Sequence, residues 1–194
     1  AARAQAAEVV DCEPSKYCAL VAKDMVFNNE MGGRIKVVQK PVNQLQVGVD
    51  IAAPAQVLVL ENIDDTLVGA GLVDALEYAR AVLLAADATI IPAHAAIYAM
   101  GVDFTVGQAA GFDLAAFDAF RREPLVESVL LRDEEYRPMT DVVEVFRFDF
   151  RESIREETKR VALRAIADGN LNGIAFWFVL HLDEETTFST GPEN

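Results

Sequence analysis

The chain has 194 residues, 52% of them hydrophobic, so it can bury a substantial core and is not a disordered polypeptide. Its formal net charge of −14 argues against a nucleic-acid-binding surface, which needs clustered lysine and arginine. The sequence shows no apolar run long enough for a membrane span and no signal peptide. Cys12 and Cys18 form neither a disulfide framework nor a zinc motif. We therefore expect no metal site, and two buried thiols in an intracellular, reducing compartment, either the cytoplasm or an organelle matrix.

The first part of the chain alternates predicted strands with predicted helices. Strands are predicted at 8–12, 35–38 and 57–61, and helices at 15–29 and 72–84. Two apolar stripes at three- and four-residue spacing predict the core faces of the helices: Cys18, Val21, Ala22, Met25 and Val26 in the first, and Leu72, Val73, Leu76, Val82 and Leu83 in the second. The pair Gly32-Gly33 is expected to supply the left-handed residue that ends the first helix. This order of elements is typical of a parallel, doubly wound sheet.

Two acidic residues follow predicted strands. The apolar run from Val57 to Leu60 predicts a strand buried on both faces, and Glu61 comes directly after it. In open α/β sheets, ligands bind beyond the carboxyl ends of the strands. Glu61 is therefore either a ligand-binding carboxylate or a charge at the start of a helix. Asp11 ends the first strand and is either a ribose-binding group or a helix-capping residue together with Glu13.

The pattern changes to shorter, alternating segments near Pro92. Strands are predicted at 89–92, 95–100, 142–150, 161–167 and 172–182, with a last one near Phe188. Strict alternation places Phe146, Phe148 and Phe150 on one face of a half-buried antiparallel strand. Asp113 is expected to cap a short helix that holds Leu114, Phe117 and Phe120. The boundary between α/β and mostly antiparallel β structure therefore falls near Pro92.

Several short segments together resemble one family. Asp11-Cys12, Glu61, Gly69-Ala70-Gly71, the stretch 91–98 and the stretch 173–178 follow one another as in the protein arginine N-methyltransferases, and the stretches 182–184 and 189–193 fit the same pattern. The resemblance implies an α/β chain in two parts: residues 1–92 as a partial Rossmann-like methyltransferase domain without the glycine-rich loop, and residues 93–194 as an antiparallel β-barrel-type domain. It also implies S-adenosylmethionine as the cofactor and methyl transfer to a guanidinium nitrogen.

The resemblance assigns roles to individual residues. In the family, two carboxylates on one loop hold the planar guanidinium ion, since bidentate pairing fixes its orientation. Glu61 matches the first carboxylate, and Ala70 stands where the second is expected. Asp64 and Asp65 lie nearby, but at a different spacing. Asp11 and Asn43 match cofactor-binding positions, for the ribose and near the adenine, where the family usually has glutamate.

Other parts of the family pattern do not match. The glycine-rich cofactor loop would precede Asp11, and a Thr-His-Trp segment would follow Glu193. His94 and His181 do not stand where that histidine belongs, and we expect both to be structural. Three explanations compete: an active enzyme represented by a fragment, a degenerate member that keeps the fold without the chemistry, and a chance resemblance of a nucleotide-binding or interacting α/β domain.

We favour the degenerate member, because Ala70 lies in the middle of the chain, where a missing end cannot account for it. The expected function is a non-catalytic accessory or structural subunit of a larger assembly. The alternative is an active protein arginine N-methyltransferase represented by a fragment. We expect no cofactor and no tight binding of S-adenosylmethionine, which would be the cofactor in the alternative. Ala70→Glu alone should not restore activity.

Other protein subunits are the expected partners, with a homodimer possible and no nucleic acid. The family often carries a dimerisation arm after its first barrel strands. The stripe of Phe112, Phe117 and Phe120 is accordingly either a contact with a partner subunit or the core-facing side of a helix.

Overall fold

The computed structural model describes residues 1–104, 108–116, 126, 128 and 136–192. The chain forms two compact units. The first comprises residues 1–60 and 71–90, and the second comprises residues 61–70 and 91–194. The first unit combines helices with short strands, and the second is built on an antiparallel sheet. The predicted fold class is confirmed: α/β structure followed by a curled, barrel-like antiparallel sheet.

Two small sheets form the framework of the first unit. Its elements in chain order are a 3₁₀ turn at Ala2–Ala4, β1 (Val9–Cys12), α1 (Lys16–Asn28), β2 (Ile35–Val38), a 3₁₀ turn at Val42–Gln44, β3 (Ala55–Val59), α2 (Leu72–Tyr78), a π-helical turn at Ala79–Leu83 and β4 (Leu84–Ile91). Strands β1 and β2 pair in parallel, with Asp11 opposite Val37. Strands β3 and β4 form the second sheet. The helix predicted at 72–84 is shorter than expected, since regular α-helix ends at Tyr78 and Leu84 already belongs to β4.

Helix α1 has defined ends. The hydroxyl of Ser15 accepts a hydrogen bond from the amide of Cys18, as an N-terminal cap does, and the carboxylate of Glu13 accepts one from the amide of Ser15 at 2.6 Å. At the other end, Glu30 adopts the left-handed conformation with φ of 57°. The prediction that Gly32-Gly33 supplies this residue is therefore wrong. The left-handed residue follows the C-terminal cap Asn29 directly and so comes before the glycines.

The predicted core stripe of α1 is also wrong in most of its positions. Ala19 is the buried residue of the helix, whereas Val21 and Met25 are more than half exposed. Cys18 is exposed as well, contrary to the expected buried thiol, and Cys12 is partly buried. The covered side of the helix is centred on Ala19, with Ala22 and Val26 partly buried beside it, so it includes only one edge of the predicted stripe.

The core of the first unit lies on one side of the strands. Val38, Leu45, Ile51, Ala79 and Leu83 are buried together, and Leu58 of β3 packs against them. The neighbours of Leu58 in β3 point the other way: Val57 is 54% and Val59 57% exposed. The prediction that this strand is buried on both faces is therefore wrong, because an apolar run does not by itself show that both faces are covered.

The second unit is organised around one long strand. Its strands are β5 (His94–Asp103), β6 (Gln108–Ala109), β7 (Phe112–Asp113), β8 (Arg137–Pro138), β9 (Val143–Asp149), β10 (Gly173–His181) and β11 (Thr187–Ser189). The main sheet has the order β11-β10-β5-β8, and β9 also pairs with β5. Strands β6 and β7 form a separate hairpin. The predicted strands at 95–100, 142–150, 172–182 and near Phe188 are confirmed with small shifts at their ends.

One local prediction in the second unit is wrong. Residues 161–167 were expected to form a strand, but only Ala165 pairs there, in an isolated bridge to Thr140. Asp113 was expected to cap a short helix: it is the last residue of β7, its carboxylate accepts a hydrogen bond from the amide of Ala115, and residues 115–116 form a 3₁₀ turn, but the rest of the predicted helix lies outside the described residues, so its existence stays a prediction. Phe112 is 71% exposed. The predicted stripe cannot be assessed further, because Phe117 and Phe120 lie outside the described residues. Across the part of the chain that the structure describes, no helix has the length and apolarity that a membrane span requires.

Candidate functional site

The loop from Glu61 to Ala70 directly follows β3 and is organised by Asp64. One carboxylate oxygen of Asp64 accepts three hydrogen bonds: from the amide of Thr66 at 3.0 Å, from its hydroxyl at 2.8 Å and from the amide of Gly69 at 3.2 Å. The carbonyl of Asp64 accepts a further bond from the amide of Leu67 at 2.9 Å. An aspartate that binds the backbone just after itself is a turn-forming arrangement, so Asp64 holds the loop closed.

Leu67 and Gly69 fix the rest of the loop. Leu67 is fully buried and adopts a left-handed backbone with φ of 73°, which is uncommon for a side chain of its size. A methyl group at Gly69 would lie 2.3 Å from the second carboxylate oxygen of Asp64 and 2.5 Å from the hydroxyl of Thr66. Glycine is therefore required at this position for the loop to close around Asp64.

The carboxylates of the loop differ in their surroundings. Glu61 is exposed at the start of the loop, and the methyl group of Ala70 is exposed at its end. The hydrogen bonds from Thr66 lower the pKa of Asp64, which therefore stays ionised as an internal acceptor. Asp65 accepts a hydrogen bond from the hydroxyl of Ser128. The side chain of Glu61 is thus exposed at the start of the loop, while the carboxylates of Asp64 and Asp65 accept hydrogen bonds within the structure.

The first unit contains the two residues expected to contact a cofactor. Asp11 lies one residue before the end of β1 and is exposed, and both partial burial and the neighbouring Glu13 raise the pKa of its carboxyl group. Asn43 is exposed on the turn Val42–Gln44. An exposed carboxylate can accept hydrogen bonds from ribose hydroxyls, and an exposed amide can both donate to and accept from a purine. The chemistry of both side chains therefore fits a nucleoside-type cofactor.

An ion pair with a buried carboxylate, which the sequence analysis missed, holds the segment around Asn43. Asp50 is only 6% exposed, and the ammonium group of Lys40 lies 2.8 and 2.9 Å from its two carboxylate oxygens. The amide of Gln46 donates to the same carboxylate at 3.0 Å, and Lys36 donates to the carbonyl of Asp50 at 2.6 Å. The hydrogen bond from Lys40 is the main cause of a lowered pKa of Asp50. Charges ten residues apart form no recognisable motif, which is why periodicity could not reveal this pair.

The two histidines lie side by side in the second unit. His94 is directly opposite His181 on β10 and Asp149 on β9. One ring nitrogen of His94 lies 3.8 Å from the carboxylate of Asp149, and the other lies 3.3 Å from the guanidinium of Arg151. The Nε2 atom of His181 is buried and has no hydrogen-bond partner in the structure as described. The described residues include no group of three or more His, Cys, Asp or Glu side chains that could hold a metal ion.

Sequence comparison finds arginine methyltransferases among the relatives of this chain. No protein-family model matches the chain. An arginine N(omega)-methyltransferase of Streptomyces achromogenes subsp. streptozoticus is 31% identical over 202 residues, covering all of this chain and 56% of that protein. Protein arginine N-methyltransferase 7 of Drosophila yakuba is 29% identical over 205 residues, covering 95% of this chain and 30% of that protein. The chain therefore spans little more than half the length of the first relative and less than a third of the second.

Structural comparison finds solved PRMT structures with a similar fold. The Trypanosoma brucei PRMT1 enzyme-prozyme heterotetrameric complex with AdoHcy matches the whole chain and 63% of its own chain, with a TM-score of 0.77 and 22% identity. The crystal structure of PRMT6 matches the whole chain and 70% of its own, with a TM-score of 0.66 and 15% identity. Because AdoHcy is present in the T. brucei complex, the expectation that no cofactor belongs to this chain is not supported. By sequence and by fold, the chain is an arginine-methyltransferase-like protein, related to the protein arginine N-methyltransferase family.

Proposed function

We propose that this chain is a non-catalytic, arginine-methyltransferase-like subunit that acts within a larger protein assembly. The observation that carries the proposal is Ala70, which is exposed on the loop at the position where the second guanidinium-binding carboxylate is expected. A planar guanidinium ion needs two carboxylates on this loop, so that N–H groups on both of its edges have an acceptor. With Glu61 alone, the guanidinium can pivot about a single contact.

The missing contact has a large expected effect on catalysis. Loss of one preorganised electrostatic contact at a reacting centre typically lowers the rate by about 10²- to 10³-fold. The other acids of the loop do not compensate in the observed arrangement. Asp64 accepts bonds from Thr66 and Gly69, and Asp65 accepts one from Ser128. Moving either carboxylate onto a substrate would break contacts that keep the loop closed.

The proposed partners are other protein subunits, and a homodimer is one possible form. The T. brucei structure supports such a role by analogy, since it is a heterotetramer of an enzyme with a prozyme. We place the protein in an intracellular, reducing compartment, since both cysteines are free thiols and one is exposed.

A second candidate function is arginine methylation itself, in which this chain supplies part of an active enzyme. The relative that is 31% identical is an arginine N(omega)-methyltransferase, and Glu61 matches the first catalytic carboxylate of the family. In this alternative, Asp11 and Asn43 would hold the ribose and adenine of S-adenosylmethionine, which supplies the transferable methyl group. Glu61 and Asp64 would then share the guanidinium, at the cost of the hydrogen bonds that Asp64 makes within the loop.

The test measures methyl transfer from labelled S-adenosylmethionine to an arginine-rich peptide. The wild-type protein, Ala70→Glu and Glu61→Gln are compared. We expect none of the three proteins to transfer methyl groups to the peptide. A glutamate at position 70 would lack a preorganised donor next to it, because the neighbouring amide of Gly69 is already donated to Asp64. Transfer by the wild type that Glu61→Gln abolishes would establish the second candidate function instead.

The accessory role has its own measurement. The protein is added in increasing amounts to an active arginine methyltransferase from the same cell, and the rate of peptide methylation is followed. The proposal predicts a rate that rises and saturates at a fixed ratio of the two proteins. An unchanged rate, together with no complex in sedimentation analysis, would contradict it.

A further inference from the structure

The second unit contains an open recess that three aromatic residues help to line. It has a volume of about 370 Å³, and Tyr98, Tyr136 and Trp177 contribute rings to its lining, while Met100, Val142 and Gly191 border it. We call it the aromatic recess. It is separate from the loop 61–70, none of whose residues lines it.

The rings of the aromatic recess are fixed by the sheet. Tyr98 on β5 and Trp177 on β10 are directly opposite each other, with ring centroids 6.0 Å apart and planes inclined by 21°. Tyr136 and Trp177 pack against a buried cluster that includes Met100, which is only 4% exposed. Side chains held in this way need little further ordering when a ligand binds, so less binding energy is lost to restricting them.

The charges around the aromatic recess select the class of ligand. All described side chains that line it are uncharged. The hydroxyl of Tyr98 lies 3.4 Å from the carboxylate of Glu144, and that carboxylate is also paired with the guanidinium of Arg147. The negative charge of Glu144, which contacts one of the lining residues, is therefore already compensated. The electron-rich aromatic rings remain as the feature that can attract a ligand electrostatically.

Ring faces without a carboxylate favour one kind of cation. A primary ammonium ion is strongly hydrated and needs hydrogen-bond acceptors to replace its water. A quaternary ammonium ion spreads its charge over its methyl groups, and a guanidinium ion is more weakly hydrated than an ammonium ion and stacks on aromatic rings, so both lose less hydration energy. An anion has no positive group to pair with among the lining residues. The net charge of −14 adds a long-range attraction for cations.

We propose that the aromatic recess binds an alkylated organic cation, namely a quaternary ammonium or a methylated guanidinium group. This site is independent of the loop that carries Glu61 and of the proposed accessory function. It would give the protein a means of recognising methylated cationic groups without any methyl transfer.

Trp177 makes the proposal directly measurable, because it is the one tryptophan of the chain. Its fluorescence is followed while choline, methylguanidinium or 3,3-dimethylbutan-1-ol is added. The last compound is a neutral isostere of choline. We expect saturable changes with a cation and binding of the neutral alcohol that is about 5- to 30-fold weaker, as a cation–π contribution of this kind implies. Whichever cation binds more tightly, choline or methylguanidinium, shows whether the aromatic recess prefers a quaternary ammonium or a methylated guanidinium group.

Two variants and a control locate the binding. A methyl group at Gly191 would lie 2.6 Å from the indole nitrogen of Trp177, so Gly191→Ala should abolish the fluorescence change. Tyr136→Leu removes one ring and keeps an apolar wall, so it should weaken binding of the cation more than binding of the alcohol. Phe112→Leu removes an exposed ring outside the recess and should change neither. Circular dichroism confirms that each variant is folded. Equal affinities of the wild type for choline and its neutral isostere, or the absence of any saturable change, would overturn the proposal.

Discussion

The loop that carries Glu61 and Ala70 should depend on the buried side chain of Leu67. Leu67 is fully buried and lies between Asp64 and Gly69, the two ends of the hydrogen-bonded turn. Replacing a fully buried leucine by alanine typically costs about 2–5 kcal/mol, from lost burial and from the cavity that remains. Leu67→Ala keeps the same backbone strain at φ of 73°, so the change isolates the contribution of the side chain.

Two measurements test this expectation. Urea denaturation should show a lower free energy of unfolding for Leu67→Ala, and hydrogen exchange should show faster exchange of the amides of Thr66 and Gly69, which donate to Asp64. Val68→Ala, at the neighbouring and only partly buried position, is the matched control and should have a smaller effect on both. A loss below about 1 kcal/mol for Leu67→Ala, with unchanged exchange of the loop amides, would show that the side chain does not anchor the loop.

Three further predictions concern single contacts. Asp64→Ala should speed exchange of the two loop amides that donate to its carboxylate, as measured by NMR, while the exchange rates of amides in β5 stay unchanged. Hydrogen bonds from Arg151 lower the pKa of Asp149 from 3.8 to about 2. The ionised Asp149 carboxylate should therefore contribute fully to the free energy of unfolding above its ordinary pKa, and this contribution should be lost as the pH falls through about 2. In acid denaturation, Asp149→Asn should show no such loss. Thr140→Val removes a buried hydroxyl that accepts from the amide of Gly101 at 2.8 Å, and it should lower the free energy of unfolding by about 1–3 kcal/mol, unlike Thr140→Ser.

The strand pattern of the second unit could be predicted from the sequence because its strands alternate regularly. In β9 the alternation of apolar and charged residues identifies the strand and its two faces, and the aromatic and β-branched residues of β10 identify that strand. Residues 161–167 also contain apolar residues, yet Ala165 alone pairs there. Whether such a segment finds a neighbouring strand depends on the arrangement of the whole unit, which a local pattern does not contain.

Burial in the first unit could not be predicted in the same way. Val57 and Val59 continue the apolar run of β3, and Met25 continues the stripe of α1, but all three are more than half exposed. Periodicity reports which residues are apolar. It does not report what lies over them.

Only some residues of the candidate site could be predicted from a sequence motif. The spacing from Glu61 to Ala70 could be recognised from the sequence, because it follows a family pattern. The role of Asp64 had a weaker signal in the sequence, since an aspartate two residues before a threonine is typical of a turn that the aspartate side chain closes. The pairing of Lys40 with the buried Asp50 had none, because it depends on the folded path of the connection between β2 and β3.

The most direct test of the central claim is methyl transfer by the purified protein, measured with labelled S-adenosylmethionine and an arginine-rich peptide. We expect no transfer above background, because Ala70 stands in place of the second carboxylate that would bind the guanidinium together with Glu61. Transfer to arginine by the wild-type protein that is lost in Glu61→Gln would contradict it, since it would show that one carboxylate, with the other acids of the loop, suffices for catalysis.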